Sequence, residues 1–142
     1  MKSKRAAGNQ FQDRCEKWLL KNFSGCVVHN QKTASSFIPR LGIWTSKRQD
    51  ILGCIDILAV GCDEVISKPL FIQCTLHTGI GKKEEDLLKV PWSLDHCVVE
   101  IWQGVESRRI VIRRLVKRDG VKVFVKYAEI RSGKYIKTEE DE

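Results

Sequence analysis

The chain has 142 residues, 42% of them hydrophobic and 30% charged, and a net charge of +7, which fits one globular domain with a hydrophobic core and excludes a disordered or membrane chain. No apolar run approaches the roughly 18 residues of a membrane span, and "MKSKRAAGNQ" lacks the apolar centre of a secretory signal, so a cytoplasmic, intracellular protein without a membrane partner is expected. The six cysteines form no C-x-x-C pair and the three histidines no H-x-x-x-H spacing, which favours reduced, buried thiols over zinc.

In chain order, "GNQFQDRCEKWLLKNFSG" puts Phe11, Cys15, Trp18 and Leu19 at helical spacing and stops at Gly25. "CVVHN" reads as a strand. Residues 31–49, with Pro39 and Gly42, read as a long loop or an irregular hairpin; a segment of that length in a compact domain usually carries function. "CIDILAVGC" is a second strand and "PLFIQCTL" a third, joined by the polar "DEVISK". A helix is predicted from about Lys82 toward Val90, where Pro91 ends it. "HCVVEIW" is a fourth strand, and "RRIVIRRLV" and "VKVFVKYAEI" form a hairpin around "KRDG". The order predicts an α/β fold with a mixed central sheet flanked by helices and a C-terminal β-hairpin. Residues 1–142 read as a single domain with a core over about 8–127, then a basic extension and an acidic tail over 128–142, loosely held after Arg131.

Asp56 stands inside a run that is apolar on both faces, and a buried carboxylate is costly unless it is paired, hydrogen-bonded or bound to a metal. Gln73 and Thr75, two apart in the next strand, point to one face and can meet Asp56. An aspartate beside an oxygen donor suits a hard cation such as Mg²⁺ or Mn²⁺. The plainer alternatives are a structural acid satisfied by backbone at a strand end and a buried Gln73–Thr75 hydrogen bond. Asp50 reads as a turn residue. Lys82 and Lys83 before Glu84 and Glu85 look like a solvated helix start, and "TGIGKK" lacks phosphate-loop spacing.

Arg108, Arg109, Arg113, Arg114, Lys117 and Arg118 crowd the hairpin, and such a surface points to phosphates, most simply DNA. Trp44, in the loop with Arg40, Lys47 and Arg48, can stack on an unpaired base or close the core. Glu100 is a further charge in an apolar strand with no role visible from sequence.

"AAGNQFQDRCEKWLL", "DILGCIDILAV", "IQCT" and "VVEIW", spread over about residues 5–103, together resemble the PD-(D/E)XK nuclease superfamily, in particular its Holliday junction resolvase-like branch and phage relatives. The resemblance implies a restriction-endonuclease-like αβββαβ core with an acid on the first helix, an Asp on the second strand and E-x-K on the third. Here Gln73-Cys74-Thr75 stands in place of E-x-K. Gln12 takes the usual glutamate position, leaving Asp13 or Glu16 as the helix acid. The implied activity is a Mg²⁺- or Mn²⁺-dependent endodeoxyribonuclease acting as a homodimer on structured or duplex DNA. Asp56, Gln73, the Cys74 backbone carbonyl and Asp13 or Glu16 would hold the ion. Asp56, Gln73 and Glu16 would be catalytic, with Lys82 or Lys83 supplying the missing lysine. The alternatives are a catalytically inactive DNA-binding module with the same fold, or a viral structural or assembly protein.

Overall fold

The computed structural model describes residues 4–23, 26–30, 34–38, 41, 43–47, 54–61, 68–76, 79–106 and 108–138. Arg40, Arg48 and Asp50 lie outside the described residues.

Helix α1 runs Lys4–Asn22 and buries Phe11, Cys15 and Leu19, spaced four apart as one helical stripe requires. At its end the Asn22 side-chain amide donates to Trp18 O at 2.8 Å and the Phe23 amide to Leu19 O at 2.9 Å, satisfying carbonyls the last turn would leave open. Strand β1, Val27–Asn30, follows, then the hairpin β2, Ala34–Ile38, with β3, Ile43–Lys47, which forms its own two-stranded sheet. The irregular-hairpin reading of this segment is therefore the right one.

The main sheet continues with β4, Ile57–Val60, and β5, Leu70–Leu76. Helix α2, Ile80–Leu88, then crosses to β6, Val98–Glu106, and β7, Arg109–Arg118, β8, Val121–Arg131, and β9, Lys134–Lys137, complete it. Its order is β1-β4-β5-β6-β7-β8-β9. β5 and β6 are parallel, as a helical crossover between them demands, and every other neighbouring pair is antiparallel. The molecule is thus α/β, with a mixed seven-stranded sheet and two helices among the described residues. Among the described residues no helix is long and apolar enough to cross a membrane.

Alternate residues of the central strands feed two cores. Ile72 and Trp102 pack under α1 with Phe11, Cys15 and Leu19, whereas Phe71 and Ile101 pack with Leu87 of α2, Trp92 and Leu115. Gly104 is tightly enclosed: a Cβ built there would stand 3.0 Å from the Phe11 ring and 3.1 Å from Leu76.

Three expectations need correction. The strand expected from Cys54 begins only at Ile57, and Asp56 lies in a bend just before it. The reason is local: the Cys74 amide donates to Asp56 Oδ2, not to a backbone carbonyl, so the side chain ends the ladder. The second helix starts at Ile80, two residues before Lys82, and is entered from Gly79 at φ 84°, a left-handed state that glycine takes without strain. After Arg131, the described residues 132–138 are held by β9 rather than loose. Ser132 and Gly133, at φ 52° and 81°, turn the chain back so that β9 pairs with β8.

Candidate functional site

Asp56 and the β5 exit form the centre of the site. Asp56 keeps 4% of its surface exposed and Gln73 2%. The Asp56 amide donates to Ile72 O at 3.0 Å and its Oδ2 accepts from the Cys74 amide at 2.8 Å, which locks the carboxylate against β5. Gln73 Nε2 donates to Cys74 O at 3.3 Å. Among the described residues, the buried Gln73 Oε1 has no hydrogen-bond partner.

Helix α1 closes one side. Cys15 of α1 lies against the Cys74 thiol, and both are buried. Burial, then the neighbouring Cys15 and the Asp56 carboxylate, push the Cys74 thiol well above its ordinary value, while Lys83 pulls the other way. The thiol therefore stays protonated at neutral pH and is no nucleophile. One turn of helix brings Asp13 and Glu16 together, and Asn30 Nδ2 donates to Asp13 Oδ1 at 3.1 Å and to Glu16 Oε2 at 3.0 Å. Asn30 lies opposite Ile57, the residue after Asp56, so the helix acids and the strand acid approach the same end of β4. Asn30 Oδ1 and Gln12 Oε1 are also buried without a partner among the described residues. Sequence reasoning missed Asn30; its signal was a polar residue ending the apolar "CVVHN".

The two lysines differ. Lys82 is exposed and pairs with Asp86 at 3.4 Å. Lys83 is half-buried and close enough to act electrostatically on Cys74. Only Lys83 is thereby linked to the Asp56 end of β5.

The basic residues separate into distinct settings. Arg114 is turned inward: its Nε meets Glu100 Oε2 at 2.8 Å and its guanidinium lies 3.5 Å from the Tyr127 ring centre. Glu100 Oε1 accepts from Trp102 Nε1 at 3.0 Å, which gives that buried charge its structural role. Arg109 pairs with Glu129 at 3.1 Å. Gln73, Ile101 and Arg113 form one cross-strand row, so Arg113 shares a face with Gln73 two strands away. Lys117 and Arg118 are exposed at the β7–β8 turn, and Arg108 is exposed at the opposite end of β7. On β3, Trp44 stands opposite Phe37 and Lys47 opposite Ala34.

For a hard cation the donor types fit: a carboxylate, the unpartnered amide oxygen of Gln73 and the Cys74 carbonyl are all oxygens. Charge is sparse. Among the described residues no three His, Cys, Asp or Glu side chains converge as a metal-binding group. Comparison with protein-family models, curated proteins and solved structures finds no match.

Proposed function

We propose that the protein is a divalent-metal-dependent endodeoxyribonuclease built on a restriction-endonuclease-like core, hydrolysing phosphodiester bonds in structured or duplex DNA. The observation that carries this reading is Gln73 Oε1, an oxygen buried without a partner on the strand that holds the Asp56 carboxylate. A buried acceptor left open costs about 1–3 kcal/mol, and a cation between it and Asp56 would remove that cost. The antiparallel, antiparallel, parallel run β1-β4-β5-β6, with α1 before it and α2 between its last two strands, supports the αβββαβ reading once the β2–β3 hairpin is taken as an insertion.

Asp56, Gln73 and the Cys74 carbonyl would hold Mg²⁺ or Mn²⁺. When bound, such an ion supplies Lewis-acid stabilisation of the phosphate and activation of water. Glu16 and Asp13, fixed by Asn30, would orient the attacking water and receive its proton. Lys83 would face the developing charge on the phosphoryl oxygens. DNA would be held by Arg113 and the exposed Lys117 and Arg118, and a homodimer would use β9, an edge strand with all four residues exposed.

A second reading is a non-enzymatic DNA-binding module, favoured by the uncharged Gln73 and Thr75. Mn²⁺ titration calorimetry decides between them. The nuclease reading expects one binding event, weakened at least tenfold in Asp56→Asn and tightened in Gln73→Glu, which restores a charge. Equal Mn²⁺ binding by the parent and Asp56→Asn would remove the site.

A further inference from the structure

Across the sheet from the Asp56–β5 contact, at β7 and β8, α1 forms one wall of a second cleft. Asp13 and Glu16 flank the buried Phe11–Cys15–Leu19 stripe on one side, and Arg14 and Trp18 flank it on the other. There Arg14, Trp18, Arg108, Ile110, Ile130, Ser132 and Gly133 enclose a cavity of about 320 Å³. That volume lies at the lower end of the ligand-pocket range, about 300–1,000 Å³.

The lining has two chemistries. Ile110 and Ile130 are buried and give an apolar floor, and Trp18 gives an aromatic wall. The wall is rigid: Trp18 Nε1 donates to Gly133 O at 3.0 Å, and its ring stacks on Tyr135 with centroids 5.7 Å apart. Arg14 and Arg108 are exposed, and among the described residues neither guanidinium has an ion-pair partner.

Arg108 is also held in an unusual backbone state. It sits at φ 65° in the β6–β7 turn, and its carbonyl accepts from the Ser132 amide at 2.8 Å. Left-handed backbone favours glycine, and an arginine there gives up stability. A turn that would fold more cheaply with glycine instead presents a guanidinium at a cleft mouth.

We infer that this cleft binds an unpaired nucleotide, its phosphate between Arg14 and Arg108 and its base over the Ile110–Ile130 floor beside Trp18. Guanidinium groups match phosphate oxygens bidentately, and an aromatic and apolar lining suits any base. The cleft needs neither the metal nor Asp56, and it rests on the DNA reading only for the source of the nucleotide.

The test is calorimetry in EDTA and low salt with thymidine monophosphate, thymidine and inorganic phosphate as probes. The monophosphate should bind at least tenfold more tightly than either fragment. Arg108→Gly should weaken it about tenfold while the melting temperature stays level or rises, because glycine takes the φ 65° turn without strain. Arg14→Gln should weaken it without change in fold. A short thymidine oligonucleotide that binds with the same Arg108 dependence identifies a DNA strand as the source, and binding of the mononucleotide alone identifies a free nucleotide. Inorganic phosphate binding as tightly as the monophosphate, or an Arg108→Gly protein that binds it unchanged, overturns the assignment. Metal-dependent cleavage is not read in this experiment, so its failure leaves the nuclease reading standing on its own test.

Discussion

Asp56 is tolerated in the core because the Cys74 amide donates to it at 2.8 Å, and the same contact stops β4 from starting earlier. One carboxylate thus shapes the strand start and is tied to the backbone of the strand that carries Gln73. The polar character of both residues was legible from sequence, since each interrupts an apolar run. Asn30 was not, because its role depends on a helix docking over β1. Nor was the Glu100–Arg114 pair, which needs the register of β6 against β7. Arg114 cannot serve as a clean probe of DNA contact, because its loss would leave Glu100 buried and unpaired, at a cost of about 3–5 kcal/mol. Glu129 makes a different prediction. The Arg109 hydrogen bond first, then Lys126 and the Arg109 and Arg131 charges, hold its carboxyl below the ordinary value against the opposing effect of burial. A depressed folded pKa means that the stabilisation is complete above the ordinary carboxylate range and is lost as pH falls through the lower folded value. Thermal unfolding followed from neutral to acid pH should show a shallower acid loss in Glu129→Gln. Identical acid limbs for the two proteins would mean that the cluster contributes nothing.

At the scale of elements, the strands of the central sheet were legible because their apolar runs are long and bounded by turn residues. β9 was not, since "KYIK" is exposed at all four positions and is placed by the Ser132–Gly133 turn and by pairing with β8. The restriction-endonuclease-like topology rested on resemblance, and pattern alone cannot tell which strands become neighbours. Gly104 on β6 leaves no room for a side chain beneath the Phe11 ring of α1. Gly104→Ala forces the Phe11 ring and Leu76 to move and should cost about 1–3 kcal/mol, read as a lower urea midpoint with unchanged slope. Wild-type stability in that variant would mean the helix has room to shift.

Across the whole molecule, the net charge of +7 is not gathered into one patch. Arg108 and the Lys117–Arg118 pair stand at opposite ends of β7, which at ten residues spans about 30 Å. Arg109 and Arg114 are committed to internal acids between them. A duplex running along the Arg113 face would meet Lys117 and Arg118 at one end. Each phosphate neutralised contributes about −0.9 to the log–log dependence of affinity on salt. Lys117→Glu with Arg118→Glu should therefore flatten that dependence and weaken all duplex sequences alike, as fluorescence anisotropy would record. Salt-independent binding, unchanged in the double variant, would point to a different partner.

The proposed metal-dependent cleavage at Asp56 and Gln73 is tested most directly by strand scission of a four-way junction and a linear duplex in Mg²⁺ and in Mn²⁺. The account predicts divalent-dependent nicking by the parent protein, none in EDTA, and a loss of at least a hundredfold in Asp56→Asn while its unfolding midpoint stays near that of the parent. Scission that persists at the parental rate in a folded Asp56→Asn protein, or a parent that cuts neither substrate with either ion, would contradict it.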